Sequence, residues 1–188
     1  MDTVRLARPD DAPALAAVYA PAVAGPISFE LTAPAPAEMA ARLAAISAHA
    51  PWLVLERAGA VVGYAYAARH RERAAYQWSV DVSVYVAPAH HRTGVGRALY
   101  AALLPMVRAQ GFYVAHAGVT LPNPGSVGLH EAFGFTPVGV YPAVGYKLGA
   151  WHDVGWWRLA LRDPTGEPAP PRPPAAMADD PAWTAVAA

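Results

Sequence analysis

Val82-Ser83-Val84-Tyr85-Val86-Ala87-Pro88-Ala89-His90-His91-Arg92-Thr93-Gly94-Val95-Gly96-Arg97 decides how this chain is built. It continues an alternation begun upstream: Trp78, Val80, Val82, Val84 and Val86 point one way, and Ser79, Asp81, Ser83 and Tyr85 the other. That period of two marks a strand over Tyr76 to Val86. A basic turn with glycines at 94 and 96 follows, and Arg97-Ala98-Leu99 opens a helix carrying Leu99, Leu103, Met106 and Val107 up to Gly111. A strand, a glycine turn and a helix N-terminus together offer outward N–H groups and a positive dipole end to an anion. Arg92 and Arg97 add formal charge, so the expected guest is a cofactor carrying a pyrophosphate. The turn is neither of two familiar phosphate loops. Gly-x-x-x-x-Gly-Lys-Ser/Thr is absent, and Leu99 stands where a dinucleotide fingerprint needs its third glycine.

Working outward, Thr3 to Arg8 alternates as a first strand, and Pro9-Asp10-Asp11 starts a helix with an Asp as N-cap and Leu15, Val18 and Tyr19 on one face. Gly25 to Glu30 is irregular, and Met39, Leu43 and Ile46 mark a second helix. Trp52 to Glu56 and Val61 to Ala68 read as paired strands about a turn at Ala58-Gly59-Ala60. Pro105 is expected to kink the helix after the glycine turn, because its ring opposes the carbonyl of Ala101. Phe112 to Thr120 is a strand, Pro122-Asn123 opens a short helix that stops at Gly134, and Phe135 to Tyr141 and Gly145 to Leu161 supply the last strands. This gives one α/β domain over residues 1–162. Residues 163–188 begin Pro-rich and are expected to form an extended, mobile tail.

Composition narrows the function. Lys+Arg and Asp+Glu both number 14, so the chain lacks the basic excess of a nucleic-acid binder, and its positive charge sits in two clusters, at 69–73 and 90–97. Apolar runs are broken well before the ~20 residues of a membrane span, and the N-terminus lacks a signal-peptide pattern, so a cytoplasmic location is expected. Without cysteine there is no disulfide, thiolate nucleophile or thiolate-bound zinc. His130-Glu131 lacks the second His of a zinc helix, and no metal is expected.

Several residues carry candidate chemistry. With Asn123 as a helix cap, Ser126 and His130 stand on one face at offsets of three and seven. Asn123 and Ser126 suit an amide-rich arm such as pantetheine, although any capped amphipathic helix shows the same spacing. Asp81 is a lone acid in a valine-rich strand, either used or facing solvent at an edge. Arg71 and Arg73, two apart on an extended segment, form either a fork for a carboxylate or phosphinate or a solvated charge run with Glu72.

The His91-Arg92-Thr93-Gly94-Val95-Gly96 turn resembles the Gln/Arg-x-x-Gly-x-Gly/Ala loop of the GNAT acetyltransferases, with His91 in the Gln/Arg position. Leu129-His130-Glu131-Ala132-Phe133-Gly134-Phe135 is similar to that family's Leu-Tyr-x-x-x-Gly-Phe ending, with His130 in place of Tyr. Ala75-Tyr76-Gln77-Trp78, Val84-Tyr85-Val86, Leu121-Pro122-Asn123, Gly145-Tyr146-Lys147 and Trp151-His152-Asp153-Val154-Gly155 resemble one subgroup, the phosphinothricin and methionine sulfoximine N-acetyltransferases. The resemblance spans roughly residues 3 to 174. It implies a GNAT fold: a mixed, mostly antiparallel twisted sheet of about six to seven strands flanked by about four helices. It further implies acetyl-CoA as cosubstrate. Backbone groups of Val84, Tyr85 and Val86, the turn His91, Arg92, Thr93, Gly94, Val95, Gly96 and Arg97, and Asn123 with Ser126 would hold that cosubstrate. Asp81 and His130 correspond to the catalytic pair, and Arg71, Arg73 and Phe29 to substrate-binding positions. The subgroup has Glu where this chain has Asp81, and the shorter side chain calls for a bridging water in proton transfer.

The expected function is direct transfer of an acetyl group from acetyl-CoA to the α-amino group of a small amino-acid analogue, by a homodimer without nucleic-acid or membrane partners. Trp151, Trp156 and Trp157 are candidates for the dimer interface, core packing being their alternative fate. Two alternatives stand beside this reading: a GNAT enzyme for another amine (a protein N-terminus, a polyamine, an aminoglycoside), and a non-catalytic acetyl-CoA-binding module.

Overall fold

A computed structural model describes residues 2–187, with side chains through residue 186, so the outermost positions of the two expected segments lie outside it. The elements run β1 (Asp2–Leu6), α1 (Ala12–Ala24), α2 (Pro36–Ser47), β2 (Trp52–Arg57), β3 (Ala60–Arg69), β4 (Ser79–Val86), α3 (Val95–Gln110), β5 (Val114–Leu121), α4 (Pro124–Ala132), β6 (Thr136–Lys147), β7 (Ala150–Ala160) and α5 (Pro181–Ala187). The strands form one seven-stranded sheet in the order β1-β2-β3-β4-β5-β7-β6. Every pair is antiparallel except β4 with β5. The mixed, mostly antiparallel sheet is therefore the expected one, with five helices rather than about four.

The alternation in β4 is what gives the sheet two faces. Val80 and Val82 pack with Leu99, Leu103, Met106 and Val107 of α3 in one core. On the opposite face Trp52, Val54 and Tyr64 pack with Leu15, Val18 and Tyr19 of α1 and Met39 and Leu43 of α2. Tyr85, of the same parity as Asp81, joins that second face and meets Tyr19 edge-on with centroids 4.8 Å apart.

Four local expectations change. Asp11 does not cap α1; its carboxylate takes paired hydrogen bonds from Arg5 (2.8 Å each) and one from the Arg8 N–H, because the guanidinium is the stronger donor. Helix α3 runs unbroken through Pro105, whose ring and opposing residue Ala101 are both exposed, so the freed carbonyl faces solvent. Residues 145–161 are not one strand: Gly145 to Lys147 end β6, and Leu148 and Gly149, both with positive φ, turn the chain into β7. β4 begins at Ser79, after a single 3₁₀ turn at Ala74–Tyr76.

The tail is corrected as well. Residues 169–186 lie against the domain: Met177, Trp183 and Val186 are buried in the α3 core, and the Trp183 indole N–H donates to the carbonyl of Met106. The Gln110 amide donates to the carbonyl of Arg172, whose own N–H returns to the carbonyl of Gln110. Proline rules out ladders over 168–174, but the later apolar residues still gain from burial on the exposed side of α3.

Candidate active site

The turn after β4 is built to present N–H groups. Arg92 (φ 58°) and Gly94 (φ 89°) are both left-handed, which curls the backbone into a concave nest at the start of α3. Gly94 is the α3 N-cap and provides no side-chain cap; the first helical bond runs from Ala98 N to the carbonyl of Gly94. The N–H groups of Val95, Gly96 and Arg97 therefore point out of the helix end. The frame around them is fixed. The His91 Nε2–H donates to the carbonyl of Val86 (2.9 Å), and the Thr93 hydroxyl accepts from Arg57 (2.9 Å) and donates to the carbonyl of His90 (2.8 Å). Gly63 lets the helix end sit directly on β3, since a Cβ there would lie 2.7 Å from Val95 Cγ1. Arg92 and Arg97 stay exposed beside the nest. Five backbone and charged groups thus converge where a diphosphate fits.

Beyond the nest the sheet splits. β4 and β5 pair only over Ser79–Asp81 with Val114–His116. Val82 to Val86 pair with β3 on one side only, so their other backbone groups border the gap. Such a gap admits an extended amide-rich chain that can bond to an open strand. The expected Val84, Tyr85 and Val86 positions lie along it, while the Tyr85 side chain itself turns away into the α1 core.

Asp81 and His116 form the last pair before the strands part. The Nδ1–H of His70, just past β3, donates to Asp81 Oδ1 at 2.6 Å. The His70 ring stacks on His116 (4.4 Å, 23°) and is met edge-on by Trp156 (6.3 Å, 86°) and Tyr76 (5.8 Å, 67°). Trp156 lies flat over Gly118, where any Cβ would come within 3.2 Å of its ring. Burial pushes the Asp81 carboxyl above the ordinary carboxylate range, and the His70 hydrogen bond offsets this only in part. Burial, with His70 beside it, lowers His116 to about 4, so this imidazole is neutral at pH 7.

A strapped loop covers the same face. The Lys147 ammonium, buried at the end of β6, donates to the carbonyls of Val23 and Ser28, and the Thr120 hydroxyl donates to the carbonyl of Ile27. Ser28 and Glu30 are tied to Tyr19 (2.6 and 2.9 Å), and Glu30 takes both guanidinium nitrogens of Arg42. This places Phe29 against Gly145, where a Cβ would collide with its ring, and 6.2 Å from the His152 ring. Arg71 reaches over the Trp156 ring at 5.9 Å, on the His70 side. Arg71 and Arg73 also line one surface cleft of about 340 Å³, together with Arg69, His49 and Arg172. The chain bends at residues 72–73 and enters the 3₁₀ turn at Ala74–Tyr76.

The expected Asp81–His130 pair is not brought together. His130 is 3% exposed and belongs to the α3 side of the sheet, opposite Asp81. Its Nε2 accepts from the Tyr100 hydroxyl (2.9 Å), its Nδ1–H donates to the carbonyl of Ser126 (2.8 Å), and Phe135 packs edge-on at 5.1 Å. Both nitrogens are thus engaged, and burial lowers its pKa, so the ring is a neutral structural link between α3 and α4. Asn123 is the cap that its position implied, its Oδ1 accepting from the N–H of Ser126 (3.1 Å). That bond uses one lone pair of the amide oxygen. Ser126 is half-buried, with its hydroxyl facing His130 rather than a ligand.

Sequence reasoning passed over His70, His116, Trp156 and Lys147. His70 hid in a charge run. His116 carries a weak signal, since His116, Gly118 and Thr120 share one face of β5. Among the described residues no cluster of three or more His, Asp or Glu gathers as metal ligands, and no helix is long and apolar enough to cross a membrane.

Known proteins are similar to this chain. The profile of the "Acetyltransferase (GNAT) family" matches residues 25–135. A phosphinothricin N-acetyltransferase of Streptomyces viridochromogenes is 44% identical over 78% of this chain and 78% of its own. An L-methionine sulfoximine/L-methionine sulfone acetyltransferase of Pseudomonas paraeruginosa is 36% identical over 87% of this chain and 96% of its own. The crystal structure of a phosphinothricin acetyltransferase from Sinorhizobium meliloti, solved in complex with AcCoA, superposes with a TM-score of 0.85 at 35% identity, covering 89% of this chain and 93% of that one. With its nest, its parted strands and a family profile across more than half its length, this chain belongs to the GNAT family of acetyltransferases.

Proposed function

We propose that the chain transfers the acetyl group of acetyl-CoA directly to the α-amino group of a small amino-acid analogue such as phosphinothricin or methionine sulfoximine. The observation that carries this reading is the line from the Arg92–Arg97 nest, along the open edge of β4, to Asp81 at the apex of the split. The nest N–H groups would bind the diphosphate, and the free backbone of Val82 to Val86 would hold the pantetheine arm and polarise the thioester carbonyl. When bound, acetyl-CoA supplies an activated acyl group. Arg71, at the Trp156 ring, would take the substrate's acid group, with Phe29 closing the pocket from the strapped loop. Asp81 lies where a proton must leave the amine, because an ammonium has no lone pair with which to attack. A cationic acceptor would prefer an acidic pocket, and Arg71 weighs against polyamines and aminoglycosides. The names of the relatives weigh the same way.

The enzyme works as a homodimer in this reading, in the cytoplasm where acetyl-CoA is at hand. Edge strand β6 and its hairpin expose Val138, Val140, Val144, Tyr146, Leu148 and Trp151, an apolar surface of the kind that a second copy covers. Trp157 is core and Trp156 lines the site, so only Trp151 of the three remains for the interface. Thiol release from acetyl-CoA with a panel of amino-acid analogues and cationic amines tests the function. Turnover confined to the acidic analogues supports it; turnover of the cations, or cofactor binding without turnover of any amine, refutes it. A monomer in light scattering at micromolar concentration would refute the dimer.

A further inference from the structure

We propose that His70 is the catalytic base, with Asp81 orienting it, so that the proton of the acceptor amine goes to His70 Nε2 rather than to the carboxylate. This rests on the acetyltransferase reading above and assigns its proton transfer to a residue outside the expected pair. Four observations carry it. Asp81 Oδ1 is already engaged at 2.6 Å by His70 Nδ1, so the carboxylate presents the imidazole to the site instead of itself. A hydrogen on Nδ1 leaves the lone pair on Nε2, and that nitrogen has no hydrogen-bond partner among the described residues and is not one of their sealed polar atoms. The ring is held on three sides, by His116, Trp156 and Tyr76, which removes the freedom that would blur its aim. Finally, Asp81 and His116, the two residues it bonds and stacks on, are the last strand pair before the β4–β5 gap, where the acyl group must meet the amine.

The chemistry balances without a further reagent. The ammonium form of the substrate gives one proton to His70 Nε2, and the imidazolium so formed keeps its Nδ1–H bond to ionised Asp81. The neutral nitrogen forms the C–N bond as the C–S bond breaks, and its surplus proton leaves with the thiolate sulfur. His116, kept neutral by burial, stacks on the imidazolium without adding a second charge.

The test pairs kinetics with a readout that needs no turnover. His70→Gln should lower kcat/KM for the amine by about 10²–10⁴-fold, while calorimetry shows acetyl-CoA binding unchanged within about twofold. Added imidazole should restore at least tenfold in His70→Ala, which a merely structural role would not allow. In ¹⁵N NMR of the wild-type protein, the His70 ring should carry its hydrogen on Nδ1, and Asp81→Asn should shift it toward Nε2. Retention of more than half of kcat/KM in His70→Gln, or a wild-type ring protonated on Nε2 alone, overturns the proposal while leaving the acetyltransferase reading intact. A wild-type protein that acetylates no amine overturns both.

Discussion

Replacing His130 by Ala separates a structural histidine from a chemical one. The ring is 3% exposed and wedged between Tyr100 and Phe135, so its removal leaves a cavity in a dense part of the α3–α4 contact. Losing that ring should cost about 2–3 kcal/mol, somewhat less than for a larger aromatic. The Tyr100 hydroxyl, on a residue with no exposed surface, also loses its acceptor, which adds about 1–3 kcal/mol. The sum is about 3–6 kcal/mol, or a fall in Tm of about 6–24 °C for a domain of this size. Urea denaturation at pH 7 measures the first quantity, and kcat/KM on the folded protein well below both melting points measures the second. Activity per folded molecule should drop no more than about fivefold, because neither nitrogen has capacity left for a proton in flight. Tyr100→Phe combined with His130→Ala should show strong coupling, since each single change already breaks the shared bond. A variant that loses under about 1 kcal/mol but more than about 100-fold in kcat would refute this reasoning and return His130 to the chemistry.

Three further outcomes follow from the site. Gly94→Ala meets nothing within 4 Å but forces a methyl-bearing residue to φ 89°, at about 1–2 kcal/mol, and calorimetry should show acetyl-CoA binding weakened roughly tenfold as the nest relaxes. Gly145→Val should drive Phe29 out of the pocket, raising KM for the amine at nearly unchanged acetyl-CoA affinity; an unaltered KM would remove Phe29 from the site. Since His116 has a folded-state value of about 4 against an ordinary 6.5, the unfolded chain takes up a proton that the folded one refuses. Stability should therefore fall as pH drops from about 6.5 to about 4, and His116→Gln should flatten that slope in urea titrations at pH 7 and 5.

The nest was legible because all its determinants are neighbours in the chain: two glycines, two arginines and a helix start within six residues. The Asn123 cap was legible for the same reason, its bond spanning three residues. His70 was not, because nothing local marks it; its meaning comes from Asp81, on the next strand, and from His116, on a strand that pairs in parallel after an intervening helix. The docked tail escaped notice because proline content reports that a segment cannot form ladders, not whether Met177 and Trp183 later find a surface to cover.

By itself the sequence determined the order of strands and helices, the phosphate-binding turn and the opposite parity of Asp81 and Val80, all of which follow from backbone periodicity and local sterics. Only the tertiary structure decided which helices each parity meets. It set His130 on the α3 face and Asp81 on the α1 face, brought Arg71 over Trp156, and parted β4 from β5 immediately after Asp81 and His116. Pairing between distant strands and burial against distant helices set those choices, and such contacts leave no period in the chain that makes them.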